Sequence, residues 1–338
     1  SKRSINVRAA QTAVTKVTGF SLFDATGALP TVPTNVLFFT GGDDGVAVTS
    51  ADIRAGWNKM SDRTYYPTNL LLNAGYSSIS VMQTMVELAR ARSDCLAILD
   101  CPFDKLLAED YRRFRLEEMN IDDSNGAIYG PYVEIEDEKT GARRLIPPSG
   151  AIGAVYADND KLTKQLGSPF GLNRGKVRFI TGLSHYYTEG EQELLHPNQC
   201  NFIIDKPGVG PVVMSERTLQ YKESVLQAVH ARRIVNMIKV GLTDNLEYII
   251  GDNNTKGTRY RALSLGDTLL KPIKTGGGLY YYAQRCNEIN NTDDVIDAEV
   301  LAYDVYVQVV RVIRGVALRT ILLRTGVKME EVDNVSGF

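Results

Sequence analysis

The run NLLLNAGYSSISVMQTMVELARARSDCLAIL, Asn69–Leu99, decides the fold class. Asn69 to Asn73 is apolar through Leu70, Leu71 and Leu72 and reads as a strand. Ser77 or Ser78 stands where an N-cap belongs, ahead of Ile79, Met82, Met85, Val86 and Ala89, which recur at helical spacing. Cys95 to Leu99 is a further apolar strand. Strand, amphipathic helix and strand in so short a stretch form a βαβ unit, with a right-handed crossover expected and a sheet at least partly parallel.

Working outward toward the N-terminus, Asn35 to Thr40 reads as a buried strand that ends at Gly41-Gly42-Asp43-Asp44-Gly45. Pro, Gly and Thr cluster from Gly27 to Thr34, so the first residues look like an entry arm. On the other side, Leu106 to Met119 is charged and helical in pattern. Ala127 to Ile135, Glu138 to Gly141 and Arg143 to Ile146 read as strand, turn and strand. Pro147-Pro148-Ser149 opens a helix over Gly150 to Tyr156 whose Gly and Ala faces are expected to pack closely on the sheet. Asn198 to Ile204 is a strand stopped by Pro207-Gly208-Val209-Gly210, and a domain boundary is placed near Ser215.

Beyond that boundary Leu226, Val229, Ile234, Met237 and Ile238 mark one long helix over Leu219 to Leu242. A polar turn region follows, Leu246 to Ile250 and Asp252 to Arg261. A helix over Leu263 to Ile273 then stops at Lys274-Thr275-Gly276-Gly277-Gly278. Tyr280 to Arg285 and Leu301 to Val310 are strands, the second alternating inward Val305, Val307 and Val309 with outward Asp304, Tyr306 and Gln308. Ala317 to Arg324 is a last β-capable segment.

The chain has 338 residues, enough for two domains or one large domain with a smaller companion. Lys and Arg total 38 against 40 Asp and Glu, so no basic excess points to nucleic acid or an anionic membrane. The longest apolar runs fall far short of the roughly 20 residues that span a bilayer. Ser1 to Val17 is polar and basic, without the apolar core of a secretory signal, which implies synthesis in a cytoplasm. Cys95, Cys101, Cys200 and Cys286 lack zinc-knuckle spacing and read as buried free thiols. His185, His196 and His230 show no helical i, i+4 pairing that would hold zinc. Gly41 to Gly45 lacks the Glu and Phe of a cyclase turn, and Gly276 to Gly278 lacks the lysine of a phosphate loop. No Gly-x-Ser-x-Gly elbow is present. An enzyme of this size usually shows at least one catalytic cluster; this sequence shows none, and neither a cofactor nor a metal is expected.

The order of several motifs resembles the contractile tail sheath proteins of phages and related bacteriocin particles. Leu37 to Gly45, containing FFTGGDDG, resembles the family's Gly-Gly-x-Asp-Gly segment. CLAILDCP, Cys95 to Pro102, resembles its apolar strand ending in Asp-x-Pro. Pro147-Pro148-Ser149-Gly150 and the stretch to Asp160 resemble Pro-Pro-Ser-Gly, Gly-x-Tyr-Ala and Asp. Arg217-Thr218-Leu219, the Arg232-Arg233 pair, and Cys286-Asn287-Glu288 with Asn290-Asn291-Thr292 follow in the same order. Two departures stand out: Ser215-Glu216 replaces the usual Trp-Gly ahead of Arg-Thr-Leu, and no Pro-Gly-Val-Tyr start precedes the first domain. The second departure raises the expectation that an N-terminal arm is trimmed or replaced.

The resemblance implies an α/β domain similar in topology to subtilisin without its catalytic residues, followed by a smaller α+β C-terminal domain. On that reading residues 1–34 are an N-terminal arm or linker, 35–214 the first domain and 215–338 the second. It implies no enzymatic activity and a structural role in a virion tail, assembled in the host cytoplasm, with helical self-polymerisation around a tail tube and contacts to baseplate and terminator proteins. A bacteriocin or secretion-device sheath is the alternative, and an α/β hydrolase a more distant one. Ala317, Leu318, Arg319, Thr320, Ile321, Leu322, Leu323 and Arg324 are the candidate strand added to a neighbouring subunit. Lys222, Arg232, Arg233 and Lys239 are the candidate cations of a tube- or neighbour-facing helix.

Overall fold

The computed structural model describes residues 48–314. The expected strand Asn35 to Thr40, the Gly41 to Gly45 turn, the 1–34 arm and the Ala317 to Arg324 strand lie outside the described residues.

Thr49 caps α1 (Ser50–Asn58) in a reciprocal capping box with Asp52. β1 (Leu70–Leu72), α2 (Ile79–Arg92) and β2 (Leu96–Asp100) form the anticipated βαβ unit, with β1 and β2 parallel. Ser78 occupies the N-cap position of α2, but its hydroxyl pairs with that of Ser80 and does not cap the helix. β2 is buried along its whole length. Its alternate residues serve opposite faces: Ala97 and Leu99 meet Val81, Met82, Met85 and Val86 of α2, while Leu96 and Ile98 meet a second core.

After β2 comes α3 (Ala108–Arg113), continued by a π-helical stretch over Phe114–Met119. The expected strand from Ala127 to Ile135 is two strands, which is a correction. β3 (Gly126–Gly130) joins the main sheet parallel to β2. Past Pro131, which has no N–H to give a ladder, β4 (Val133–Glu136) leaves it and pairs antiparallel with β5 (Arg143–Ile146). α4 (Ser149–Thr163) starts where the Pro-Pro pair predicts and runs past Tyr156. Ile152, Val155 and Tyr156 form its buried face, with Gly153 letting Leu72 approach, so large residues provide the packing attributed to Gly and Ala.

α5 (Gly171–Arg174), β6 (Gly182–Leu183) and α6 (Glu189–Leu195) lead to β7 (Cys200–Lys206), parallel to β3, and to β8 (Gly210–Val213), antiparallel to β7. The main sheet therefore runs β1-β2-β3-β7-β8, with helices on both faces.

The single helix expected over Leu219 to Leu242 is also corrected: α7 spans Val229–Leu246. Leu219 lies at a bend in non-helical chain, and its N–H bonds the Gly126 carbonyl. A Cβ at Gly126 would come within 2.9 Å of Leu219 and of Val86, so the glycine makes room for this crossing. The supposed polar turn region is largely helix. Thr255 caps α8 (Lys256–Thr275), and Pro272 is tolerated in its last turn. β9 (Leu279–Arg285), α9 (Asp293–Asp297) and β10 (Asp304–Val309) follow, β9 and β10 pairing antiparallel.

Candidate subunit-joining site

Val305, Val307 and Val309 of β10 face inward as the alternation predicts, and with Leu279 and Tyr282 they cover Ile234, Ile238, Leu242, Leu270 and Ile273 of α7 and α8. The outer face carries Tyr281, 56% exposed, and Tyr306, 49% exposed, over whose ring the Arg285 guanidinium lies at 5.5 Å. Among the described residues the β9–β10 sheet has two strands, so each offers a free edge of backbone donors and acceptors. Such a ribbon is marginal in water by itself and gains from added strands.

Helix α7 fastens this hairpin to the main sheet. Arg233 is 4% exposed, forms a forked pair with Asp160 and stacks over Tyr156, whose hydroxyl bonds Tyr129. The Arg232 Nε donates to Asn125 and the Asn236 amide donates to the Cys95 carbonyl. Two of the four cations assigned to one partner-facing helix, Lys222 and Arg233, are therefore corrected. Lys222 lies ahead of α7 in non-helical chain, Arg233 is consumed internally, Arg232 is half-buried, and Lys239 is exposed.

Below α7 sits a buried polar cluster that sequence reading did not assemble. Asn201, fully buried, donates to the carbonyls of Ile128 and Arg217 and accepts from Ser215 Oγ and the Arg217 N–H. His196 Nδ1 lies 2.9 Å from Ser215 Oγ. Burial, then the Arg217 and Arg314 charges, lower the His196 pKa to about 4. A serine–histidine contact could suggest a hydrolase, but Ser215 is wholly buried and its proton goes to Asn201. A cleft of about 790 Å³ beside Arg63, Asp94, Asn236 and Asp244 has neither histidine nor cysteine in its lining.

Glu216 and His230 complete the cluster, 1% and 3% exposed. His230 Nδ1 is 2.9 Å from Glu216 Oε1, its Nε2 is 3.0 Å from the Val310 carbonyl, and Arg314 approaches Glu216 at 3.8 Å. The signal was present: Ser215-Glu216 is a departure from the family pattern, and His230 interrupts the apolar stripe of a helix.

No family model matches the chain. It is 24% identical over 323 residues to the tail sheath protein of Enterobacteria phage T4, covering 89% of this chain and 49% of the relative. It is also 24% identical over 319 residues to the tail sheath protein of Vibrio phage KVP40, covering 87% and 47%. The chain is a relative of the tail sheath proteins. It spans about half the length of these curated sheath proteins.

Solved sheath structures share its fold. The contracted sheath complex of an extracellular contractile injection system, PVC, superposes with a TM-score of 0.66 at 20% identity, covering 84% of this chain and 82% of that one. The contracted helical sheath of the anti-feeding prophage gives 0.62 at 19%, covering 82% and 76%. The sheath tail protein of Desulfitobacterium hafniense gives 0.54 at 10%, covering 80% and 62%.

Proposed function

We propose that this chain is a structural, non-enzymatic part of a contractile tail sheath. It polymerises helically around a tail tube, and the polymer shortens to drive the tube through a host cell envelope. One observation carries the reading: a collinear relationship to tail sheath proteins runs along nearly nine-tenths of the chain, and the same region folds like sheath subunits. Itself, the tube, the baseplate and the terminator are the partners, in a virion tail assembled in the host cytoplasm.

The division into 35–214 and 215–338, with a subtilisin-like first part, belongs to the same proposal. It is supported by the hydrophobic cluster that α7, α8, β9 and β10 build among them, with Leu166 packed at its edge. Strand addition through Ala317 to Arg324 of a neighbour would extend the β9–β10 ribbon. Identical subunits joined head to tail in this way make open helical polymers. No nucleotide is needed, since extra surface buried between subunits drives contraction. The likeness to injection-system sheaths favours that device as the second reading.

Negative-stain electron microscopy of the chain, alone at high concentration and with purified tail tubes, tests the proposal. Helical sheaths on the tubes are expected. A chain that stays monomeric under both conditions overturns it.

A further inference from the structure

We propose that His230 is a protonation-dependent clamp on the root of the C-terminal segment, closed while its ring is an imidazolium and released when the ring loses a proton. A carbonyl oxygen can only accept, so the ring nitrogen 3.0 Å from the Val310 carbonyl must carry a hydrogen. The other nitrogen faces Glu216 Oε1 at 2.9 Å, while Oε2 of the same carboxylate accepts from the His230 backbone N–H. With Glu216 ionised, two acceptors on two nitrogens are satisfied together only by the doubly protonated ring; the neutral ring keeps its hydrogen on Nδ1 beside the carboxylate, the proton leaves Nε2 for solvent, and an Nε2 lone pair then faces the Val310 carbonyl.

The Val310 N–H donates to the Gly278 carbonyl, so the residue is tied to the turn just before β9 by one bond and to α7 by the other. Past it, Arg314 reaches back to Glu216. The charged groups around the ring are Glu216 before α7, Arg314 in the outgoing segment, and Arg217, Glu223 and Arg311 lining the same depression. Burial alone would lower the His230 pKa; the hydrogen bond and charge of Glu216 outweigh it, and the ring titrates above its ordinary value. The clamp's contribution is therefore full below about pH 6.5 and is lost as pH rises through the raised folded-state value. The consequence for assembly rests on the sheath reading, because the clamped residues lead into the segment offered to a neighbour; the clamp itself does not.

The test uses the unpolymerised chain. Hydrogen exchange at the Val310 amide, which donates to the Gly278 carbonyl, is corrected for its intrinsic rate and followed from pH 5.5 to 9 beside NMR titration of the histidine rings. Protection should fall about tenfold or more as the His230 ring titrates, with a midpoint above the usual 6.5. His230→Gln should give weak, pH-independent protection. Glu216→Gln, which keeps the shape, should move the midpoint down. Flat protection across the ring titration, or a ring already neutral at pH 6, overturns the clamp. Either result leaves the tube-binding experiment free to fail or succeed separately.

Discussion

Arg233 and Asp160 meet as two forks, Nη1 to Oδ1 at 2.8 Å and Nη2 to Oδ2, under cover that leaves the Arg233 side chain 4% exposed. Removing one partner of such a pair strands a buried charge. Arg233→Ala should therefore destabilise the chain by about 3–5 kcal/mol in chemical denaturation. Arg233→Lys loses the fork and the stacking on Tyr156 and should cost about half as much. An Arg233→Met/Asp160→Leu pair should recover most of the loss; no recovery would mean that the fork's geometry matters more than its charge balance.

Asp100 closes the C-terminal end of β2 by accepting from the N–H groups of Gly75 and Ser149, the second at the start of α4. Its burial outweighs those bonds and lifts its pKa to about 6. With a folded value above the unfolded one near 3.8, the native state takes up a proton between them. This group's contribution to stability should fall as pH rises from about 4 to about 6 and level off above. In Asp100→Asn that slope should vanish from urea-derived stabilities measured against pH, with about 1–3 kcal/mol lost at neutral pH to one unmet backbone donor.

Gly266 in α8 and Gly150 in α4 should answer oppositely to alanine. A Cβ at Gly266 would fall 2.0 Å from the Tyr303 hydroxyl and 2.2 Å from Gln284 Oε1, two groups bonded to each other. Gly266→Ala should cost about 1–3 kcal/mol and loosen α8 from β9. Gly150 has open space around its Cβ position and sits in the first turn of a helix, so Gly150→Ala should gain about 0.5–1 kcal/mol. Thermal melts of the two variants against the parent check the signs.

All four cysteines are buried free thiols. Burial pushes Cys95 and Cys200 up to about 12, which removes the reactive thiolate at neutral pH. A thiol reagent at pH 8 should label none of the four in the native chain and all four in guanidinium. Fast native labelling would show that the faces of the main sheet open readily.

The βαβ unit was legible because Leu70 to Leu72 and Cys95 to Leu99 are unbroken apolar runs, and Met82, Met85, Val86 and Ala89 keep a helical period. The β10 alternation was legible for the same reason: one face meets α7 and α8, the other meets water. Leu219 to Ala228 misled because Leu219, Leu226 and Val229 are spaced as a helix would space them. Tertiary structure decides otherwise, with Leu219 drawn into the gap above Gly126 and its N–H spent on a strand carbonyl. Arg232 and Arg233 misled differently, since their partners Asn125 and Asp160 stand 107 and 73 residues away and no local pattern announces them. The Glu216–His230–Val310 cluster joins three points of the chain that only the fold brings together.

Helix α7 touches the residue before β2 through Asn236, α4 through Arg233, the segment before β3 through Arg232, and the residue after β10 through His230. A pull applied at residue 310 is therefore not absorbed by the hairpin alone. It is handed across the Val310 carbonyl to a helix fixed at several points along its length, and from there into a sheet enclosed on both faces. While the His230 bond is closed, a displacement at residue 310 is shared between the hairpin, α7 and the main sheet, and opening that bond confines it to the hairpin.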